Sequence, residues 1–320
     1  MGIELLIQNG SMIYIPVVEG ELKLSWERKG TPGKLEFSVI QDDILHFEEG
    51  NPVKLTVDDT AMFYGFVFSR RRKAGSPVVS VTAYDQTRYL KNKDTLLAEG
   101  MKASDLLKRL ADDFRLRLGT VEDTEYVLES IVEENTTLFD MLQNALDETL
   151  LHTGRLYCLY DDAGALTLKE LSSMKLNLLI DEETAETYDY SSGIDGQTYN
   201  KIKLAFDNEE TGKREIYVAQ DGEHINQWGV LQYFEMEQTA TGAAAKAETL
   251  LKLYNRKSRN LSIQNAFGDV RVRAGSGVAV LLHLDDLTLS QYMLVEKVVH
   301  HWKEGVHGMD LTLIGGEFFD

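Results

Sequence analysis

Gly50-Asn-Pro-Val-Lys-Leu opens a stretch that closes at Tyr84, with an apolar strand from Met62 to Ser69, a turn through Gly75-Ser-Pro77 and a return strand from Val79 to Tyr84. Gly275-Ser-Gly-Val-Ala-Val opens a second stretch in the same order: a strand from Gln291 to Val299, a turn at Gly305 and a return from Met309 to Leu313. A short apolar strand precedes each, Phe37-Ser-Val in the first and Leu261-Ser-Ile in the second, at spacings that differ by one residue. Recurrence of the whole order implies two similar β-units in one chain, and an internal repeat constrains the architecture more than any single strand does. Residues 35–84 and 261–314 are therefore expected to share one fold.

Around the first copy, residues 3–85 read as short strands: Ile3–Ile7, Met12–Ile15, Leu22–Glu27, Leu35–Ile40, Val53–Val57, Met62–Ser69 and Val78–Tyr84. Turn signals such as Asn9-Gly10 and Thr31-Pro32-Gly33 separate them. All four prolines fall here, at strand edges or turns, where a missing amide donor costs no ladder bond. The strand Met62–Phe68 is apolar on both parities, Tyr64 and Phe66 against Phe63 and Val67, which predicts cover on two faces. One face is the interior, and Phe63 and Val67 are assigned to the outward one. Arg70-Arg71-Arg72-Lys73 then makes a basic hairpin tip that suits an acidic partner surface, the alternative being a solvated turn. Phe63, Val67, Arg70, Arg71, Arg72 and Lys73 are the candidate assembly-contact residues.

From about Leu90 a helical period replaces the strand period. Leu106, Leu107, Leu110 and Phe114 mark one helix face; a second helix starts at Thr137, whose hydroxyl and Asp140 suit a capping box, and stops at Gly154. Strands Leu156–Tyr160 and Leu166–Leu171 follow. Asp181 to Gly196 reads as a surface connection, and strands return at Lys201–Phe206, Glu215–Ala219 and Leu231–Glu237. The organisation expected is mainly β with α+β insertions: a first antiparallel β-barrel over 1–95, an α+β module over 96–185, and a second barrel over 186–320 with an inserted helix at about 242–256.

Net charge is −19, and residues 96–190 hold −13 of it, with 21 acidic against 8 basic side chains. Such a balance opposes binding to nucleic-acid phosphates or anionic membranes, which calls for clustered Lys and Arg. The N-terminus lacks the basic start and apolar core of a signal peptide, so synthesis and folding in the cytoplasm are expected. Cys158 stands alone in an alternating run, so it makes no internal disulfide and reads as core or interface. Neighbouring carboxylates such as Asp42-Asp43, Asp112-Asp113 and Asp161-Asp162 fit turns and exposed faces better than acid–base catalysis. His300 and His301 point to opposite faces of a strand and cannot both hold one ion. With no nucleophile elbow, phosphate loop or His-Glu-x-x-His present, the reading assigns no catalytic residue, metal or cofactor.

Three stretches carry a family likeness: Ala83-Tyr-Asp-Gln-Thr-Arg-Tyr-Leu-Lys-Asn-Lys-Asp94, Thr137-Leu-Phe-Asp140 leading to Gly154-Arg-Leu-Tyr-Cys-Leu-Tyr-Asp-Asp162, and Tyr254 through Gly275. Together they resemble the baseplate hub proteins of contractile phage tails, prophages and phage-tail-like bacteriocins, similar to the hub half of type VI secretion spike proteins. The resemblance implies two tube-protein-like barrels per chain and a homotrimeric ring with a central channel, adapting a sixfold tail tube to a threefold spike. It also implies tube, spike, other baseplate and tape-measure proteins as partners and a place in the assembled tail. Some hub-type proteins continue into a spike, peptidase or lysozyme-like domain, whereas this sequence ends at Asp320, so the spike and any wall-degrading activity are expected on separate polypeptides. The rival readings are the distal adaptor of a non-contractile tail and a tail-tip cell-wall hydrolase.

Overall fold

The computed structural model describes residues 2–209, 211–237, 241–284 and 287–315. Its first part holds β1 (Ile3–Asn9), β2 (Met12–Tyr14), β3 (Leu22–Glu27), β4 (Lys34–Ile40), β5 (Pro52–Val57), β6 (Thr60–Arg72) and β7 (Val78–Tyr84). The middle adds β8 (Lys93–Lys102), α1 (Ala103–Asp113), β9 (Leu118–Val121), β10 (Val127–Thr137), α2 (Leu138–Thr153), β11 (Tyr157–Asp161) and β12 (Leu166–Glu170). After these come β13 (Lys175–Ile180), β14 (Thr187–Gly193), β15 (Lys201–Asn208), β16 (Lys213–Gln220), α3 (Gly222–Trp228), β17 (Gln232–Glu237) and α4 (Ala243–Tyr254). The last part holds β18 (Ser258–Phe267), β19 (Gly277–Leu284), β20 (Leu287–Lys303) and β21 (Val306–Gly315).

The two repeats fold alike. In the first, strands pair in the order β1-β5-β6-β7-β4-β3; in the second, the order is β13-β19-β20-β21-β18-β14. The equivalence reaches single hydrogen bonds. Gly50 N donates to Val67 O and Gly275 N to Val295 O, both at 2.8 Å. Each long strand carries a bulge at that point, between Val67 and Ser69 in β6 and between Val295 and Lys297 in β20. Gly50 and Gly275 have φ of +88° and +94°, a region that side-chain-bearing residues avoid. One strand breaks the symmetry: β1 runs antiparallel to β5, whereas β13 runs parallel to β19.

The two units join edge to edge, because the second half of β20 pairs with β3, Lys297 opposite Glu27 through Trp302 opposite Leu22. This corrects the expectation of two closed barrels. The outer edge of β3 is taken by the other unit instead of its own, so neither unit closes by strand pairing among the described residues and both belong to one continuous sheet. One core runs through both units, from Leu5, Ile7 and Phe63 across Leu24, Trp26 and Val298 to Ile263 and Leu313.

The middle module has its own core, where α1 and α2 lay Leu106, Leu107, Leu110, Leu138, Met141 and Leu142 against the β8–β10 ribbon and the sheet β11-β12-β9. The capping box is present: Thr137 Oγ1 accepts from Asp140 N at 3.1 Å and donates to its carboxylate at 2.6 Å. Gly154 ends the helix in the left-handed region. The sheet β16-β15-β17 packs under α4 around Ile202, Leu204, Ala247 and Leu250. Several elements are absent from the sequence reading, among them β9, β13 and α3. Residues 93–102 and 127–137 form a long ribbon with only one buried face, and Thr187–Gly193, read as a connection, is a strand paired to β18 along its whole length. The strand β13, in the middle segment of the sequence reading, hydrogen-bonds β19 of the second unit.

Candidate assembly surface and the junction behind it

β6 reaches from the core to the surface, and its parity decides what each residue faces. Phe63 and Val67 are 2% and 1% exposed and lie inside the core. That reverses their outward assignment; the outward parity belongs to Tyr64, Phe66 and Phe68. These three are half-buried under the 3-10 turn Gln86–Lys91, with Phe66 6.3 Å and Phe68 6.1 Å from the Tyr89 ring and Arg88 5.5 Å over Phe68. Phe114, Arg117 and Gly164 of the middle module complete a cleft of about 680 Å³ over Tyr64 and Phe66. The strand is thus covered on both faces, as its composition predicts, with the module as the outer cover.

Past the bulge β6 becomes exposed. Arg70 folds back onto its own loop, with Nη2 3.0 Å from Glu49 Oε2 and Nη1 donating to the Phe47 carbonyl. Arg71 and Lys73 have no ion-pair partner among the described residues, and Arg72 only donates to the carbonyl of Ser76 at 3.3 Å. The edge of Ser69–Arg72 that faces away from β7 has no paired strand among the described residues. The sheet's first strand, β14, is exposed for most of its length, and its outer edge has no partner strand among the described residues.

Behind this surface lies a buried junction of all three parts. Arg273 stacks 3.8 Å over Tyr160 and 5.1 Å over Trp26, donates to Asp161 O at 2.7 Å and pairs with Asp162 at 3.2 Å. Asp85 is 2% exposed; its Oδ1 accepts from Thr87 N at 3.0 Å and from the Thr87 hydroxyl. Burial first, and then the Asp161 charge, push its pKa up to about 8. Burial likewise raises Asp161, whose Oδ1 accepts from Gly164 N at 2.6 Å. Gly33 leaves the space: a β-carbon there would overlap the Asp85 carboxylate and the Trp26 ring. Asp161 therefore departs from the exposed-turn reading, and Asp85 gave no sequence signal of its own, since a carboxylate beside Gln-Thr-Arg reads as an ordinary cap. Cys158 is buried against Ala274 O at 3.8 Å, and burial pushes its thiol up to about 11, which keeps it protonated and inert.

His300 is fully buried. Its Nε2 lies 2.8 Å from the Val272 carbonyl, which can only accept, so Nε2 carries the proton and Nδ1 accepts from His307 Nε2 at 2.9 Å. Burial depresses His300 to about 3 and His307 to about 4. His301 lies on the opposite face near Glu21 and Asp310. Among the described residues, no group of three or more His, Cys, Asp or Glu side chains is placed to hold a metal ion.

A family model described as YQBQ-like matches residues 22–314, from the first residue of β3 to Ile314 in β21. The chain belongs to the YQBQ-like family. The phage-like element PBSX protein XkdQ of Bacillus subtilis is 26% identical over 94% of each chain. The fold is that of the prophage MuSo2 43 kDa tail protein of Shewanella oneidensis, with a TM-score of 0.73 at 12% identity, over 99% of this chain and 100% of that one. It is also similar to an E. coli type VI secretion component described as resembling the T4 tail proteins gp27 and gp5 (TM-score 0.58, 11% identity, 99% of this chain and 78% of that one). The YQBQ-like fold thus sits among tail proteins, and no helix among its described residues is long and apolar enough to cross a membrane.

Proposed function

We propose that this YQBQ-like chain is a structural, non-enzymatic baseplate hub of a contractile tail, present as three copies in a ring that joins a sixfold tail tube to a threefold spike. The duplicated six-strand unit carries the proposal. A ring that meets a sixfold partner needs either six chains with one contact unit each or three chains with two, and a duplicated unit supplies the second solution. In this reading each unit is a tube-protein-like barrel completed in the assembly, residues 96–185 form a module on the outside, and β13 reaches from that module into the second unit. Tube and spike proteins contact the two rims, with other baseplate and tape-measure proteins as further neighbours. The net charge of −19 suits a channel that DNA passes without sticking. The proposal is tested by imaging purified tails with this chain labelled. Three copies per ring, both units at one radius, is the expected result; six copies per ring, or units at different radii, would refute it. Clearance of purified cell walls by the isolated protein, abolished by one carboxylate substitution, would make it a hydrolase instead.

A further inference from the structure

We infer that the exposed end of β6 is an open strand edge that receives β14 of a second copy of this chain. The inference rests on the ring reading above and deepens it by naming the contact. Inside the chain the second unit already makes this contact once: past its bulge, β20 pairs with β3. The bulges make Ser69 of β6 the counterpart of Lys297 of β20, so Arg71 and Arg72 correspond to Val299 and His300, and Lys73, one residue past the end of β6, falls where His301 stands. β14 is likewise the counterpart of β3. Leu24 lies opposite Leu35, and Tyr190 lies opposite Leu261, the residues that pair with Ala83 and Leu313 on the equivalent return strands. Each chain therefore has one used copy of the contact, β20 with β3, and one unused copy, β6 at one place and β14 at another.

Transferring the register predicts the intermolecular one. Val299 opposite Ser25, His300 opposite Leu24 and His301 opposite Lys23 become Arg71 opposite Ser191, Arg72 opposite Tyr190 and Lys73 opposite Asp189. The side chains match in chemistry: a guanidinium meets a phenol ring, and an ammonium meets a carboxylate that has no ion-pair partner among the described residues. The contact is head to tail, so each added chain exposes a new β6 or β14 edge until the ring closes.

The full-length double variant Arg71→Cys/Ser191→Cys tests the register, since native Cys158 is buried. Mild oxidation of the oligomer or of purified tails should give covalent dimers and trimers, absent from either single variant. Lys73→Glu or Asp189→Lys should weaken self-association by roughly tenfold, and the two together should restore it. Both sites are exposed, so unchanged melting separates assembly from folding. An oligomer that forms without cross-links and ignores both charge reversals would overturn this pairing while leaving the hub reading intact. A chain that stays monomeric and is missing from purified tails would overturn both.

Discussion

Asp85→Asn isolates one proton of the fold. The folded protein holds Asp85 near 8 through burial and the Asp161 charge, whereas an unfolded aspartate titrates near about 3.9. Between these values the folded chain binds one proton more than the unfolded one. The stability this group contributes is therefore full below about pH 4 and is lost as pH rises toward 8, at up to about 1.4 kcal/mol per pH unit. From pH 6.5 to pH 8 the loss is on the order of 1–2 kcal/mol, because the slope halves as pH reaches the folded value. His300 and His307 act in the opposite direction. With folded values depressed to about 3 and 4 from 6.5, their contribution is present above pH 6.5 and is lost as pH falls toward 4. The wild type should be most stable near pH 6.5, losing stability on both sides. Asparagine keeps the side-chain oxygen that caps Thr87 N and cannot ionise, so Asp85→Asn should keep an acid limb and reduce the alkaline one to the part that Asp161, also raised by burial, contributes. Urea unfolding at half-unit pH steps, with m held common, measures this. Parallel loss of stability in both proteins above pH 6.5, or a variant that loses more than the wild type there, would refute the reasoning.

Phe63→Ala should cost about 3–5 kcal/mol in urea unfolding, because the ring is fully enclosed, and Phe63→Asp should fail to give folded protein; a wild-type melt for either would contradict the interior placement. Gly50→Ala and Gly275→Ala both force a side chain into φ near +90°, at about 1–2 kcal/mol, but only Gly275→Ala also sets a β-carbon 2.7 Å from Cys158 Sγ. Thermal melting should rank Gly275→Ala below Gly50→Ala by a further 1–3 kcal/mol or so, and equal effects would show that the second site relaxes. Thr137→Ala should cost about 1 kcal/mol and Thr137→Ser much less, since the hydroxyl makes both capping contacts.

The sequence carried the repeat because its markers are backbone devices: Gly50 and Gly275 occupy positions that need positive φ, and the apolar strands after them are long. It carried α2 because Thr137, Asp140 and Gly154 are explicit start and stop signals. It did not carry the inward parity of β6. Both faces of Met62–Phe68 are apolar, and alternation cannot rank two apolar faces when a second module covers one of them. The strand β14 was illegible for the opposite reason. Thr-Tyr-Asp-Tyr-Ser-Ser-Gly buries little, so it resembles a loop, and only its pairing with β18 makes it a strand. Asp85 and Asp161 lie 76 positions apart, and no local pattern reports that the fold buries them together beside Arg273.

The divergence of the two units follows from what each copy of the edge contact has to survive. β20 and β3 belong to one chain and meet whenever it folds, so their contact is free to be apolar, and Leu24, Val298, His300 and Trp302 are buried there at 0–2% exposure. The equivalent edges of β6 and β14 stay in water until another copy arrives. An apolar version would invite pairing with any exposed strand, which charged side chains on an edge discourage. Arg71, Arg72 and Lys73 where the other unit has Val299, His300 and His301, and Tyr190 and Ser192 where β3 has Leu24 and Trp26, are the substitutions that keep such an edge soluble. They also explain why the basic tip is not matched by a second one: in the proposed ring only one of the two equivalent contacts is made between chains, and only that one needs charge to choose its partner.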